Sequence, residues 1–331
     1  MGMSAVSLLS LTPEGHVRHA SHGADRTWTE TNCYVDLWVE ILNALGLVPE
    51  AAGAFALSAG FEGDQWTMFK HPPEDLRELF GIDAYELNAW RPVVDHVEEQ
   101  FALGRLLNIE VDAWHLPDTQ GVSYQRIHAK TSIVPNLLDR DNRILEYFHN
   151  SGYYRLEGDD FDGVFRLGAW SNPDALLPYI EVINLDRLRR PEPAELVDSA
   201  RRLMVGHLRR IPPSNPVVLL GERIQKDLGW LQSSDPEMFH RYAFGTCRQC
   251  GASAEAAAGF LNWLARYDEA GASVLTQSAE RLQSLSDSAK SLQFTLARAA
   301  RGRNANLSDL IAAMAADWAS GIDVLVAHYL R

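Results

Sequence analysis

Hydrophobic residues recur with both helical and strand periods in the first part of the chain, and with a helical period almost throughout the part after about residue 185. In the first part, Val35, Trp38, Leu42 and Leu45 stand at i, i+3, i+7 and i+10, and Gly46 follows. This spacing puts the four apolar side chains on one face of a helix, and the glycine is typical of a helix end. The pattern therefore predicts an amphipathic helix that starts near Cys33.

A second amphipathic region, rich in acidic residues, begins after Pro72 and Pro73 and predicts helix up to about Leu107. Beyond it the period changes to two, which is typical of strands. The predicted strands cover Leu107–Trp114, Tyr124–Val134, Arg143–His149 and Tyr153–Leu156, with others between Val164 and Ile183 and a turn at Asp139–Asn142. Helices followed by an antiparallel sheet indicate the α+β class.

From about Pro193 onward the pattern is helical almost throughout. The predicted helices cover Ala254–Tyr267, Ala272–Ala300 and Leu307–Tyr329. Asn306 precedes the last of them and has a side chain suited to capping its first turn. We therefore predict two domains, residues 1–185 and residues 186–331, the second of them mostly α-helical.

Composition and charge narrow the possible partners. The 331 residues are 46% hydrophobic, which is enough for an ordinary core, and the net charge is −14. An excess of negative charge argues against binding to nucleic acid or to an anionic membrane, since both require a concentrated positive surface. We therefore expect no nucleic-acid partner and no membrane partner.

The sequence also favours a reducing compartment. We find no run that approaches the roughly 20 apolar residues of a membrane span, and the opening MGMSAVSLLSLTPEG lacks the basic residues that begin a signal peptide. Only three cysteines are present, Cys33, Cys247 and Cys250. An odd, sparse set of cysteines is typical of reduced thiols, so we predict a cytoplasmic protein.

Cys33 is a candidate nucleophile because of where it stands in the predicted helix. The run Thr31-Asn-Cys-Tyr-Val-Asp-Leu-Trp38 leads from polar residues directly into the amphipathic segment. A thiol in the first turn of a helix feels the positive end of the helix dipole, which favours the thiolate. The free backbone N–H groups there can also stabilise an oxyanion. The alternative is a buried structural cysteine.

His128 is the candidate general base for that thiol. It lies in a predicted strand, and the strand after it, Ile144–Asn150, ends in polar residues that could orient an imidazole. A nucleophile at a helix start, a base on a strand and an orienting group at the end of the next strand follow the order of papain-like enzymes. The alternative for His128 is a structural histidine held by hydrogen bonds.

The same segments carry a resemblance. The run Glu110-Val-Asp-Ala-Trp-His-Leu-Pro-Asp-Thr119, followed by Tyr124-x-x-x-His128, resembles the N-terminal domain of the butirosin-biosynthesis acyltransferase family. That family also has an Asn-Cys pair opening its first helix, as Asn32 and Cys33 do here. Over its full length the chain is similar to an uncharacterised bacterial family encoded near carrier proteins and amino acid:carrier-protein ligases. The segments that carry this second resemblance are Asp64–Phe69, Leu116–Thr119, His128–Ser132 and Tyr147–Tyr154.

The resemblance implies a papain-like cysteine-enzyme domain, with N-terminal helices packed on an antiparallel sheet, followed by the helical domain. It implies an acyltransferase that moves an acyl or aminoacyl group from a carrier-protein thioester to a small-molecule amine. Cys33 would form the acyl-enzyme and His128 would be the base. Asn150 is the predicted third catalytic residue, His149 is its rival, and Asp139 more naturally caps its own turn. No cofactor is expected except a phosphopantetheine arm on the partner carrier protein, and no metal.

Several other residues have two possible roles each. Asn32 either contributes to an oxyanion hole or caps the helix. Gln65 and Trp66 either line the pocket or belong to the core. Asp112 and Asp118 either recognise the amine of an aminoacyl group or have solvated or loop-capping roles.

Three further patterns suggest sites but have simpler explanations. The Cys247–Cys250 pair has the CxxC spacing of a zinc or redox motif without further ligands, so structural cysteines are favoured. The triplet of His16, His19 and His22 favours a flexible polar leader over a metal site. A basic cluster either docks an acidic carrier protein or forms a solvated helix face. Its members are Arg187, Arg189, Arg190, Arg201, Arg202, Arg209 and Arg210.

Two alternatives to acyl transfer stay open from the sequence. A cysteine hydrolase, either a peptidase or a thioesterase, would use the same dyad with water as the acceptor. A non-catalytic module that binds a carrier protein would use the enzyme fold and the large helical half without any chemistry. Oligomeric state does not follow from the sequence.

Overall fold

The computed structural model describes residues 6–330 and divides the chain into two compact units. Unit 1 comprises Met1–Gly23, Cys33–Leu47 and Pro73–Arg190. Unit 2 comprises Ala24–Asn32, Val48–Pro72 and Pro191–Arg331. Residues 1–5, on which the expectation about a signal peptide partly rests, lie outside the described residues. The division into domains 1–185 and 186–331 stays a prediction. Each compact unit is assembled from three separate segments of the chain.

Helix α1, Cys33–Ala44, confirms the first predicted helix. Its apolar side chains Leu37, Trp38, Ile41 and Leu42 are almost completely buried in unit 1. Gly46 follows the helix with a φ of 68°, a left-handed conformation that glycine adopts without steric cost. The hydrophobic pattern therefore located both the buried face of α1 and its end.

The strands of the described residues form one antiparallel sheet of seven strands. Six of them follow one another in the order β2-β7-β3-β4-β5-β6, and β1 pairs with β4. Their bounds are Val6–Ser7 for β1, Asp83–Leu87 for β2, Leu106–Asp112 for β3, Lys130–Asp139 for β4, Ile144–His149 for β5, Gly152–Glu157 for β6 and Ile180–Asn184 for β7.

The register of the sheet determines which side chains share a face. Asn108 on β3 pairs with Glu181 on β7, and Asp112 on β3 pairs with Lys130 on β4. Side chains alternate along a strand, so Asn108 and Asp112 point to the same face of the sheet. The hydroxyl of Tyr34 in α1 donates to Glu181 at 3.0 Å, so the start of α1 lies over this face.

One hairpin joins β4 to β5, and a second hairpin joins β5 to β6. The turn between β4 and β5 is capped by Asp139, whose carboxylate accepts the backbone N–H of Asn142 at 3.0 Å. This agrees with the turn expected at Asp139–Asn142. The turn between β5 and β6 contains Asn150 with a φ of 47°. Asparagine is among the non-glycine residues that tolerate this conformation best.

The segment between Pro72 and Leu107 contains a strand as well as helices. Helix α2 covers Pro73–Phe80 and helix α3 covers Val93–Ala102. Between them β2 pairs with β7 at one end of the sheet order. Helix alone was expected there, because the five residues of β2 include two acids and are too few to show a clear alternation.

Short helices and the remaining long helices complete the two units. Helix α4, Asp159–Phe165, belongs to unit 1, as do the 3₁₀ turns Ala20–His22, Ala113–His115, Pro117–Thr119 and Gly168–Trp170. Unit 2 contains the 3₁₀ segment Pro49–Ser58, a π-helical turn Phe244–Arg248, and helices α5 to α10. These helices cover Pro193–Leu208, Pro216–Ser233, Pro236–Ala243, Gln249–Ala265, Ala272–Ala300 and Ser308–Tyr329.

Helix α9 packs against both α8 and α10 in unit 2. Its bounds, Ala272–Ala300, agree with the prediction residue for residue. The N-cap position of α10 is Leu307 and not the expected Asn306, although the carbonyl oxygen of the Asn306 side chain accepts the backbone N–H of Asp309 in the first turn. The α+β class is confirmed, with an antiparallel sheet in the N-terminal half and a helical C-terminal region.

Helix α10 meets the length and composition of a membrane span, although the sequence reading found no such run. Its most apolar window of 18 residues has a mean hydropathy of 1.6, and 28% of that window is buried. One helix of this kind is weak evidence for a membrane span. The cytoplasmic location stays a prediction.

Candidate functional site

Cys33 is the first residue of α1, forms no disulfide and is half-buried. The sequence predicted this position in the first turn of the helix. A first-turn residue lies at the positive end of the helix dipole, which favours a negatively charged sulfur. The location therefore meets the first physical requirement for a nucleophilic thiol.

His128 is bonded to a carboxylate. Its Nδ1 lies 2.6 Å from Oδ2 of Asp112, and its ring stacks on the indole of Trp114 with centroids 4.5 Å apart. The other oxygen of Asp112 accepts the backbone N–H groups of Trp114 and Ala129 at 3.0 and 3.3 Å. The carboxylate is therefore fixed by the backbone, and the imidazole is oriented from two sides.

This bonding pattern determines which ring nitrogen can act as a base. When the carboxylate of Asp112 accepts the proton of Nδ1, the neutral ring of His128 carries its lone pair on Nε2. The side chain of His128 is 67% exposed, so Nε2 is not enclosed by the core. An imidazole held in this way has the tautomer that a general base requires.

The Asp112–His128 pair and the start of α1 share one face of the sheet. Tyr34, next to Cys33, bonds to Glu181, which pairs with Asn108. Asp112 is four residues along β3 from Asn108 and on the same face, which corresponds to about 13 Å of strand. The fold thus brings Cys33 and His128 to the same side of unit 1.

A buried carboxylate lies under the first turn of α1, and this residue was not predicted from the sequence. Glu181 accepts hydrogen bonds from the hydroxyls of Tyr34 and Tyr179 and from the amide of Asn108 at 3.3 Å. Burial, reinforced by the charge of Glu181, raises the pKa of Tyr34 and raises that of Tyr179 to about 12. An acid within the apolar run of β7 was the available signal.

The two candidates for the third catalytic residue occupy different surroundings. Asn150 stands in the β5–β6 turn, and the prediction for it stays a prediction. The ring of His149 lies 2.5 Å from the carboxylate of Asp118 and 2.9 Å from the hydroxyl of Thr131. Thr131 pairs with Val111, so its side chain points to the face opposite Asp112.

Asp118 belongs to this second cluster on the opposite face. Its other oxygen accepts the hydroxyl proton of Tyr147 at 2.5 Å, and its carboxylate is almost completely buried. Burial together with Asp118 raises the pKa of Tyr147. Asp118, His149 and Thr131 thus form a continuous hydrogen-bonded chain inside unit 1.

Asn32, Gln65 and Trp66 lie in unit 2. The amide of Asn32 donates to the carbonyl oxygen of Phe69 at 3.1 Å and lies 3.3 Å from the Gln249 side chain. Trp66 is buried and donates its indole N–H to Ser253 at 3.0 Å, whereas Gln65 is exposed. Of these two residues, only Trp66 belongs to a core.

The CxxC pair has no catalytic character. Cys247 and Cys250 are both completely buried. Burial raises the pKa of Cys247 to about 12 and raises the pKa of Cys250 well above its ordinary value. Such thiols stay protonated and are inaccessible to reagents. Among residues 6–330, no group of His, Cys, Asp and Glu side chains has the arrangement of a metal site.

The histidine triplet is part of an ion-pair cluster and not a flexible leader. His22 is buried, with Nδ1 2.5 Å from Glu40 and Nε2 3.4 Å from Asp36, and His16 reaches Glu40 at 2.8 Å. Burial lowers the pKa of His22, but the bonds to Asp36 and Glu40 more than offset this and raise it to about 9. The cluster fastens the segment before α1 to the helix.

Most of the basic cluster is engaged within its own unit. Arg190 donates to the carbonyl oxygen of Leu45 at 3.0 Å, and Arg189 donates to that of Glu78. Arg201 lies 3.4 Å from Asp268, and Arg202 donates to Ser199. These contacts support the reading of a structural set of cations. Arg210 differs, because it lines a cavity.

Comparison with known families gives two matches that follow one another along the chain. The DUF1839 N-terminal domain matches residues 17–185, and the DUF1839 C-terminal domain matches residues 193–327. No curated protein matches the chain. Because the first of these matches alone covers more than half of the residues, the chain belongs to the DUF1839 family.

Proposed function

We propose that the protein is a cysteine-dependent acyltransferase that uses Cys33 as nucleophile and His128 as general base. The observation that carries the proposal is the bond between His128 and Asp112 on the face of the sheet covered by the start of α1. A carboxylate-held imidazole and a thiol in the first turn of a helix are the two parts of a cysteine active site.

The proposed reaction begins with a thiolate–imidazolium pair. The sulfur of Cys33 attacks the carbonyl carbon of a thioester, the bond to the donor sulfur breaks, and His128 gives its proton to the departing thiol. An amine then attacks the acyl-enzyme, and His128 takes a proton from the amine nitrogen. The products are an amide and a free thiol, and the thiolate–imidazolium pair is restored.

Asp112 is the proposed orienting residue, in place of the predicted Asn150. Its carboxylate holds Nδ1 of His128 and would stabilise the imidazolium formed during the reaction. The backbone N–H groups that fix Asp112 keep this carboxylate in place without help from solvent. The oxyanion would be stabilised by the backbone N–H of Cys33 at the start of α1.

The resemblance to the butirosin-biosynthesis acyltransferase family favours a carrier-protein thioester as donor and a small-molecule amine as acceptor. A papain-like ancestry of unit 1 is part of the same proposal. Helix α1 packing on β4 and β5 of an antiparallel sheet is consistent with it.

Selective labelling tests the nucleophile. We expect iodoacetamide at neutral pH to modify Cys33 at least about tenfold faster than Cys247 or Cys250, because both of these thiols are buried and protonated. His128→Ala should slow the labelling of Cys33, whereas His240→Ala, which changes an exposed histidine of unit 2, should not. Peptide mass spectrometry reports each site.

The labelling result separates a catalytic thiol from one that is merely accessible. If Cys33 reacts at the same rate with and without His128, the dyad is wrong. Incubation with a small acyl thioester then tests the chemistry. An increase in the mass of the Cys33 peptide by one acyl group, reversed by added primary amines, supports acyl transfer. Rapid discharge by water alone would favour a hydrolase, and an unmodified Cys33 would favour the non-catalytic module.

A further inference from the structure

Two carboxylates stand opposite each other on strands β2 and β7 of unit 1. Glu86 on β2 is the register partner of Glu181 on β7, so their side chains point to the same face of the sheet. Glu86 is exposed, whereas Glu181 is buried. Like charges directly opposite each other on neighbouring strands are destabilising. This carboxylate pair, Glu86 and Glu181, therefore costs stability unless a cation offsets its charge.

Neither member of the carboxylate pair forms an ion pair with another side chain within residues 6–330. Glu181 accepts hydrogen bonds from the neutral hydroxyls of Tyr34 and Tyr179 and from the amide of Asn108. Glu86 makes no hydrogen bond within the same residues. Burial, Glu181 and Glu86 together raise the pKa of Tyr179 to about 12, so both negative charges act on one small region of the sheet.

An acceptor without a hydrogen-bond partner lies next to the carboxylate pair. Asn108 on β3 is the register partner of Glu181 and is only 3% exposed. Its amide N–H donates to Glu181 at 3.3 Å, so the side chain is directed at the pair, whereas its Oδ1 has no partner in the part of the chain that the structure describes. A buried carbonyl oxygen without a donor is rare and costly. A purely structural role for Glu181 would leave Glu86 and this oxygen unexplained.

The groups that lack a partner select a ligand with N–H donors and a positive charge. The two carboxylates and Oδ1 of Asn108 can accept hydrogen bonds but cannot donate them. A primary ammonium group has three N–H donors and one positive charge, so it satisfies carboxylate and carbonyl oxygens together. A metal ion is disfavoured, because no group of three or more His, Cys, Asp and Glu side chains within residues 6–330 is arranged to hold one.

We propose that the carboxylate pair binds the ammonium group of an aminoacyl donor, an inference that rests on the proposed function. Tyr34 bonds to Glu181 and directly follows Cys33 in the chain. The acyl group is the part of the substrate that becomes bonded to Cys33. The ammonium group is therefore assigned to the acyl group and not to the amine acceptor. Of the acyl and aminoacyl donors that the proposed function allows, the carboxylate pair favours the aminoacyl one.

Thioesters of equal size test this preference. The S-ethyl thioesters of β-alanine and of butanoic acid differ only in an ammonium group that replaces a methyl group. Mass spectrometry follows the acylation of Cys33 in the full chain, and each rate is divided by the rate with free 2-mercaptoethanol, which removes the difference in intrinsic reactivity. We expect the β-alanine thioester to react at least about tenfold faster after this correction.

Variants of exposed acids locate the preference. Glu86→Gln should lower it about fivefold to tenfold, because the change removes the charge and keeps the size of the side chain. The rate with the butanoic thioester should stay within about twofold. Asp141→Asn is the matched control, because Asp141 is an exposed acid in the β4–β5 turn of the same unit. It should leave the preference unchanged.

A binding measurement separates this inference from the proposed function. Two stable amides, N-ethyl-β-alaninamide and N-ethylbutanamide, are titrated into the full-length Cys33→Ala variant by isothermal titration calorimetry, so that no acylation occurs. We expect the β-alaninamide to bind at least about fivefold more tightly, and Glu86→Gln to remove the difference. This result together with a Cys33 that neither thioester acylates would support the ammonium site and contradict acyl transfer.

Three outcomes would overturn the inference. The first is equal affinity of Cys33→Ala for the two amides. The second is an equal loss of preference in Glu86→Gln and Asp141→Asn, which would indicate diffuse attraction to a negatively charged protein. The third is a preference confined to aminolysis, with 1,5-diaminopentane reacting faster than 5-aminopentan-1-ol, which would assign the cation to the acceptor.

Discussion

His22 is an example of a single residue whose charge holds a segment in place. It is buried against Asp36 and Glu40 of α1, and its pKa is raised to about 9 from an ordinary value of 6.5. The opposite shift applies to Glu40, whose pKa falls to about 2 because its bonds to His16 and His22 outweigh the effect of burial. Both shifts mean that folding favours the charged pair.

The ion pairs of His22 make the stability of the protein depend on pH. Because the folded pKa of His22 exceeds the unfolded one, its stabilising contribution is complete below about pH 6.5 and is lost as the pH rises to about 9. We expect the free energy of unfolding to fall by about 3 kcal/mol over this interval through His22. Urea titrations at pH 6 and pH 9 measure the change.

His22→Gln should remove most of that slope while lowering stability at pH 6. His240→Gln should keep the slope, since His240 is exposed. An unchanged slope in His22→Gln would show that another group is responsible. The contribution of Glu40 is separate, because it is present above about pH 4.5 and is lost as the pH falls toward 2.

The bond between Asp112 and His128 allows a test of the proposed reaction. Asp112→Asn keeps an oxygen for the backbone N–H groups but presents an amide N–H to Nδ1 of His128, which favours the wrong tautomer. We expect kcat/KM for aminolysis of a small thioester to fall by about 100-fold or more. The melting temperature should change little.

Asn150→Gly is the matched control, because glycine retains the φ of 47° at that position. We expect it to alter kcat/KM by no more than about twofold. The reverse result, with a large loss in Asn150→Gly and a small one in Asp112→Asn, would restore Asn150 as the third catalytic residue.

Two glycines at the ends of helices have the same backbone conformation but differ in their surroundings. Gly81 between α2 and β2 has a φ of 68°, and a Cβ there would overlap the carbonyl oxygen of Arg187. Gly104 after α3 has a φ of 73°, and a Cβ there would meet nothing within 4 Å. Only Gly81 is therefore required by packing as well as by conformation.

Gly81→Ala should lower the free energy of unfolding by about 3 kcal/mol or more, because a backbone oxygen cannot move away as a flexible side chain would. Gly104→Ala should lower it by only about 1 kcal/mol, the cost of the left-handed conformation. Urea titration of both variants measures the difference. Equal losses would mean that the loop near Arg187 gives way.

Helices could be predicted from the sequence where apolar residues recurred on one face over several turns. Helices α1 and α9 were found because their apolar positions repeat over several turns, and the β4–β5 turn was found from its Asp and Asn residues. Strand β2 was missed because five residues with two acids carry little pattern. The bond between Asp112 and His128 was also missed, since it depends on the register of β3 and β4 and not on local sequence.

The order of helical and strand patterns along the sequence predicted the α+β class but not how the chain is divided between the two units. The segments 24–32 and 48–72 lie in the half that was expected to form the first domain, yet they belong to the unit of the C-terminal helices. Their membership depends on long-range contacts. The backbone N–H of Trp28 donates to Glu255 at 2.9 Å, and its indole donates to Ser286. No local periodicity encodes such contacts.

This interleaving limits how the gene can be divided. A fragment that stops at residue 185 retains Trp28 and Trp66 but loses Glu255, Ser286 and Ser253, the groups to which they donate. Two large aromatic side chains would then be left without their core, and the expressed piece would be prone to precipitate. Soluble halves of this protein have to be built by rejoining the segments of each unit through new linkers and not by a single cut.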